Sequence, residues 1–289
     1  MEEIGAVGHR IVASGEYFKK TTLVTPEVLK TLEEKTFELA PLHNPAAATG
    51  LRACMEVMPD TPMALVFDSS FHATMPEKAY LFGIDYEDYK KYGVRKYGAH
   101  GTSHKFVSSE AAKYLGKNPE QLKIVTCHLG NGSSISAVDG GKCVDTSMGF
   151  TPLAGVLMGT RSGDIDASAV EFLARKKGMS HADTVTYLNK KCGVAGISGV
   201  SSDHPEEFKP FAHVRTDRRR IFAYACRKHN TVKSAHCRRV RTDEFFRLIR
   251  EHVQSEFTSF VALFLSRNQI PEIAGNAGNA RAKGLNSSG

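Results

Sequence analysis

Nowhere in the 289 residues is there an apolar run long enough to cross a bilayer, and Met1-Glu2-Glu3-Ile4 has neither the basic start nor the apolar core of a secretory leader. The expectation is a cytoplasmic protein with no membrane partner. Six cysteines, at positions 54, 127, 143, 192, 226 and 237, form no CxxC pair, which argues against a disulfide framework or a zinc ribbon and for reduced structural thiols. Cys226, His229, His236 and Cys237 cluster, but adjacent His-Cys ligands fit a tetrahedral site poorly. There is no GxxxxGK[ST] run, so phosphate binding by a P-loop is excluded. Glycine is missing from Val200 through Ala274, although the chain holds 25 glycines elsewhere. That gap marks a stretch of different compositional origin.

The same stretch holds the basic charge. Between residues 209 and 250, thirteen lysines and arginines face three acids, an excess of ten in a chain whose net charge is +7, so the remainder is mildly acidic. Arg218-Arg219-Arg220 and Arg238-Arg239 would suit phosphate contacts. No helix-turn-helix, RNA-recognition or OB signature accompanies them, and nucleic acid is not the expected partner. The stretch ends in a predicted amphipathic helix over Asp243–Ser266, with Phe245, Leu248, Ile249, Val253, Phe257, Phe260 and Phe264 spaced for one face.

What is present before residue 204 reads as a layered α/β protein, short β-rich runs alternating with helical stretches in a chain that is 41% hydrophobic. Ile4–Val12, Met63–Phe67, Leu122–Cys127, Ser134–Val138 and Lys142–Thr146 are predicted strands. Thr25-Pro26-Glu27 starts a helix, with threonine as cap and proline in the first turn, and Asn44–Met58, Ala167–Lys176 and His181–Lys190 are further helices.

Three clusters can carry chemistry. His128-Leu129-Gly130-Asn131-Gly132-Ser133-Ser134 lies between two predicted strands, and its glycines let a phosphate approach backbone N–H groups without Cβ interference. A plain hairpin turn would look the same. Met158-Gly159-Thr160-Arg161-Ser162-Gly163-Asp164-Ile165-Asp166 joins a guanidinium, hydroxyls and two carboxylates, suited to a carboxylate or phosphoryl group or to a salt-bridged turn. Asp68 ends an apolar strand, where open α/β sheets meet ligands, although an aspartate there can also cap the next element. Arg10, His43, His100 and His104 are single candidates, and no metal-ligand spacing connects them.

Taken in order, Gly8–Val12, Leu39–Pro45, Val66–Pro76, Tyr97–Lys105, His128–Ser134, Asp145–Asp166 and Gly196–Asp203 resemble the acetate kinase family, within the acetate/sugar kinase, Hsc70 and actin superfamily. A fainter match returns at Ala277–Lys283. The resemblance implies a two-lobed ribonuclease-H-like fold, with residues 1–70 finishing the first lobe and 71–203 beginning the second. It also implies direct in-line transfer from ATP to acetate in organic acid metabolism, with Mg²⁺ or Mn²⁺, and a homodimer for the complete protein. Arg10 and Arg161 would clamp the carboxylate and the phosphoryl group, and Asp68 would position the acyl group and help hold the metal. His100, Arg161 and His43 would stabilise the transition state, while His128, Gly130, Asn131, Gly132 and Ser133 would cradle the nucleotide. Val12, Leu42, Ala99 and Pro152, with Arg10, would line the acyl pocket.

Departures from the family pattern add expectations. Ala13-Ser14-Gly15 stands where His-Gly-Gly is usual, and Ala99 where phenylalanine is usual, which would favour propionate or butyrate. The opening phosphate loop, the adenine motif and a metal-linked glutamate have no counterpart, so the fold is expected to be incomplete at both ends. Residues 204–271 are expected to be an insertion or aberrant segment, and 272–289 a fragment of a second-lobe helix with its tail. Little or no kinase activity is then expected, the alternative being an inactive fragment that binds anions or a partner.

Overall fold

The computed structural model describes residues 4–40, 43–199 and 260–265. Strands β1 (Val7–Ile11) and β2 (Thr22–Leu23) come first, then helices α1 (Pro26–Thr36) and α2 (Asn44–Val57), then β3 (Met63–Phe67). β1 and β3 run parallel with Arg10 opposite Val66, and β2 flanks β3 antiparallel, giving the order β1-β3-β2. A parallel pair needs a crossover, which the two helices supply. The Thr25 hydroxyl accepts from the Val28 N–H at 3.2 Å and so caps α1 as its sequence predicts. Fully buried Asn44 donates to Ala13 O at 2.8 Å and Thr36 Oγ1 at 2.9 Å, tying both helices to the segment after β1. Leu29, Leu32, Ala48 and Leu51 pack against Ile11, Leu65 and Phe67. Each large side chain so buried contributes about 1.5–3 kcal/mol.

From β3 the chain passes through a 3₁₀ turn, Ser70–Thr74, and helices α3 (Glu77–Tyr80), α4 (Tyr86–Tyr92) and α5 (Gly101–Tyr114). β4 (Lys123–Leu129), β5 (Ser133–Asp139) and β6 (Lys142–Thr146) then form an antiparallel meander. α5 lays Ala111 and Ala112 on Leu122, Ile124 and Val138, and Val125, Cys127, Ile135 and Val156 form another cluster. Helices α6 (Ala167–Lys177), α7 (His181–Lys190) and α8 (Gly193–Ser198) follow. Two sheets, each with its own core, make the α/β architecture expected for the two-lobed fold.

One prediction is corrected. Residues Phe260–Leu265 are not the end of an amphipathic helix but a strand, β7, antiparallel to β4 with Ile124 opposite Leu265, completing the order β6-β5-β4-β7. An uninterrupted apolar run suits a strand as well as a helix, and the edge of β4 offers a row of backbone partners. The rest of that expected helix, the basic stretch and Ala277–Lys283 lie outside the described residues. α5 is the larger omission of the sequence reading. Its buried positions are Gly101, His104, Ser108, Ala111 and Ala112, too small and polar to form an apolar stripe.

Candidate active site

Parallel β1 and β3 end together, so residues at their C-terminal ends share one edge of the sheet. Arg10 Nε donates to Asp68 Oδ1 at 3.0 Å and Nη2 to Oδ2 at 2.6 Å, a two-point pair. Asp68 is 1% exposed while the Arg10 side chain is 64% exposed, so the carboxylate anchors a guanidinium that faces outward. The hydrogen bond to Asp68 is the main cause that raises the Arg10 pKa. Thr102 Oγ1 also donates to Asp68 Oδ1, at 3.3 Å, and the Gly101 N–H donates to Asp68 O at 2.8 Å. A Cβ on Gly101 would lie 2.0 Å from that carbonyl oxygen, so only glycine permits the contact.

The residue before Gly101 is His100, with φ 61°, the one non-glycine residue at positive φ among the described residues. That conformation costs about 1–2 kcal/mol, and such strain gathers at functional sites. His100 Nδ1 lies 2.8 Å from Ser134 Oγ, and its ring stacks on His128 at 4.0 Å between centroids. His128 Nδ1 in turn meets Ser103 Oγ at 2.9 Å. Burial first, then the neighbouring His128, Arg10 and Arg161, hold the His100 pKa down at about 3. Burial is likewise the first cause of lowering at His43 and His128, and Arg161 and Arg10 add to it at His43. These rings offer neutral N–H groups rather than charges.

The Gly130–Gly132 turn joins β4 to β5 and rests on the loop that carries Arg161. The Gly159 N–H donates to Asn131 O at 3.0 Å, and a Cβ on Gly159 would lie 2.0 Å from Asn131 Oδ1. Gly132 faces His100 and Arg161, because a Cβ there would lie 3.3 Å from Arg161 Nη1 and 3.5 Å from His100 Nε2. Ser133 is buried, and its hydroxyl donates to Gly130 O at 2.9 Å, so it braces the turn. Arg161 is half-buried and donates to Pro152 O at 3.2 Å; among the described residues it pairs with no carboxylate. Burial alone lowers its pKa. The acids of its own loop serve the backbone: Asp164 Oδ1 accepts from the Gly155 N–H at 2.7 Å, and Asp166 caps α6 through the Ser168 and Ala169 N–H groups. A desolvated guanidinium without an acid is a receptor for an external anion.

Arg10, Asp68, His100, Arg161, His43 and the Asn131 turn are therefore neighbours, although they come from β1, from the residues just after β3 and just before α2 and α5, and from two loops. On the acyl side, Ala99 is 3% exposed and packs with Met148 and Met158, and Met158 Sδ lies 3.9 Å from Arg161 Nη1. Val12 is half-buried just beyond β1, and Leu42 lies outside the described residues. Sequence reasoning missed Thr102 and Ser103, which brace Asp68 and His128, and read Ser134 as a phosphate donor, whereas its hydroxyl lies between His100 and His104. No group of three or more His, Cys, Asp or Glu side chains that could hold a metal ion occurs among the described residues.

The Acetokinase family model matches residues 1–238, a span that takes in the first part of the basic stretch. An acetate kinase of Thermoanaerobacterium thermosaccharolyticum is 55% identical over 233 residues, covering 79% of this chain and 58% of that protein. The crystal structure of Porphyromonas gingivalis acetate kinase superposes with a TM-score of 0.75 at 43% identity, covering 80% of this chain and 58% of that one. A propionate kinase from Francisella tularensis subsp. tularensis SCHU S4 gives the same TM-score, 0.75, at 42% identity, over 80% of this chain and 60% of its own. The chain thus spans just over half the length of the curated relatives it matches.

Proposed function

The chain belongs to the acetokinase family, and on that premise we propose that it is built to transfer the γ-phosphate of ATP to acetate, giving acetyl phosphate and ADP. The observation that carries this reading is the pair of unlike arginines, Arg10 turned outward by buried Asp68, and Arg161, opposite His100 and Gly132 and paired with no acid among the described residues. In this reading the acetate carboxylate lies on Arg10, and one of its oxygens attacks the γ-phosphorus as the bond to ADP breaks. Arg161 and neutral His100 donate to the phosphoryl oxygens in flight, with His43 close by. Asn131 and the Gly130–Gly132 backbone, flanked by His128, receive the nucleotide phosphates. No proton has to move between protein and substrate, so the residues act by positioning and by matching charge.

A divalent ion, Mg²⁺ or Mn²⁺, would neutralise charge on the nucleotide phosphates. Both Asp68 oxygens already accept from Arg10, so direct ligation would compete with the arginine for the carboxylate. An ion held mainly by phosphates and reaching Asp68 through water fits the donor set. Ala99 favours a second substrate class, a slightly longer acyl chain, because a small side chain stands where the family usually has a phenylalanine ring and its buried neighbours, Met148 and Met158, are flexible.

The test uses the full chain. Acetyl phosphate is expected to raise its thermal midpoint, and the shift should vanish in Arg161→Ala, with ATP- and Mg²⁺-dependent acyl hydroxamate formation assayed in parallel. No acetyl phosphate binding by the native chain, or hydroxamate formation undiminished in Arg161→Ala, would overturn the assignment.

A further inference from the structure

Behind His100 runs a line of buried polar groups that substrate would never touch. His100 Nδ1 lies 2.8 Å from Ser134 Oγ, Ser134 Oγ lies 2.7 Å from His104 Nε2, and His104 Nδ1 lies 2.7 Å from Thr126 Oγ1. Thr126 and Ser134 are 0% exposed and His104 is 1% exposed, so the line is shut off from bulk solvent. Each hydroxyl has one proton to give, and each neutral imidazole has one donor nitrogen and one acceptor nitrogen.

The far end sets the direction. Thr126 Oγ1 has His104 as its one side-chain hydrogen-bond partner among the described residues. If His104 donated to it, the threonine O–H would be buried without an acceptor, at a cost of about 1–3 kcal/mol. The threonine therefore donates to His104 Nδ1, which puts the His104 proton on Nε2. That proton goes to Ser134 Oγ, which leaves the Ser134 O–H to donate to His100 Nδ1. His100 must then carry its own proton on Nε2, the nitrogen nearest the space over Gly132 and Arg161.

We propose that Thr126, His104 and Ser134 are positioning residues that lock His100 in its Nε2–H tautomer, so that a neutral ring presents a hydrogen-bond donor to the anionic group in the site. The inference rests on the role given to His100 above. With the opposite tautomer, Nε2 would present a lone pair to a phosphoryl oxygen, and the same ring would repel what it is placed to hold. Two further restraints hold the ring: its stacking on His128 and the left-handed backbone at His100.

The experiment is nitrogen NMR of the histidine side chains in the full chain labelled with ¹⁵N-histidine, with the His100 signals assigned from His100→Asn. The native chain should show His100 and His104 with the proton on Nε2. Ser134→Ala should turn the His100 signals into a tautomer mixture, Ser134→Thr should restore the single form, and Thr126→Val should disturb His104 and His100 together. A proton on His100 Nδ1 in the native chain, a mixture there, or a His100 tautomer unchanged in Ser134→Ala would overturn the proposal. The native spectrum decides even where a variant fails to fold. No turnover is needed, so a negative result here leaves phosphotransfer standing, and a failed transfer assay leaves the tautomer standing.

Discussion

The two arginines of the site should respond to truncation in opposite ways. Arg10→Ala removes the partner of a carboxylate that is 1% exposed and takes away the bonds at 3.0 and 2.6 Å. Breaking a buried ion pair from one side costs about 3–5 kcal/mol. Here the guanidinium is largely solvated and Thr102 still donates to Asp68, so the expected loss is about 2–3 kcal/mol. Arg161→Ala removes a desolvated cation whose hydrogen bonds go to the Pro152 carbonyl and weakly to the Met158 sulfur, and should change stability by less than about 1 kcal/mol in either direction. Denaturant unfolding of both variants measures this, provided the slope matches that of the native chain. A double-mutant cycle isolates the pair: combined with Asp68→Asn, Arg10→Ala should cost under about 1 kcal/mol, because the neutral amide no longer needs a counter-charge. Both variants should nevertheless lose the acetyl phosphate shift. If Arg161→Ala destabilises as much as Arg10→Ala, or if the Arg10→Ala cost is undiminished beside Asp68→Asn, the reading of one anchored and one vacant arginine fails.

Gly101→Ala should cost more than about 4 kcal/mol, since the new Cβ meets Asp68 O, whereas Gly116→Ala meets nothing within 4 Å and should cost only about 1–2 kcal/mol for its φ of 61°. Equal denaturation midpoints for the two would remove the argument from close approach. In a version completed with the missing segments, Ala99→Phe should tighten selection for acetate over propionate by roughly tenfold or more, as one methylene in an apolar pocket is worth about 1–3 kcal/mol; an unchanged ratio of kcat/KM values would show that Ala99 does not set the acyl wall. Stability should fall on acidification. Burial lowers the His72 pKa to about 4 and is the first cause that lowers His100 to about 3, so both contribute fully above their unfolded value of about 6.5 and lose that contribution as pH falls toward the folded values. His72 alone should account for roughly 2 kcal/mol between pH 7 and pH 5, and a flat unfolding free energy over that interval would refute the buried-neutral assignment.

Where pattern and turn chemistry agreed, the sequence was legible. β3, β6 and α7 fall on their expected bounds, and the Thr25 cap and the Gly140-Gly141 turn, with φ of 59° and 76°, follow from residues that prefer those conformations. α5 stayed hidden because helix periodicity is read from large apolar residues, and its inner face has none. Residues 260–265 failed for the opposite reason: Phe260 and Phe264 satisfy helical spacing, and only the register against β4 decides for a strand. Within the site, residue types announced chemistry without announcing its direction. Asp164 and Asp166 sit beside Arg161 in sequence and turn to backbone N–H groups, while the acid that does hold an arginine of the site, Asp68, lies 58 positions from its partner.

The same residues stand out without any motif. Among the described residues, local rules are broken here: a non-glycine residue sits at positive φ, a guanidinium is desolvated without an acid, and His100 is held neutral by burial. Local rules are expected to fail where a site is held ready for a ligand. His100 and Arg161 meet around the space that Gly132 leaves free. Ser133, Asp164 and Asp166 belong to the same sequence clusters but break no rule, since each is satisfied by its own loop or helix end. Agreement at Arg161 and His100, with divergence at these three, separates the residues poised for an anion from those that build the loop around it.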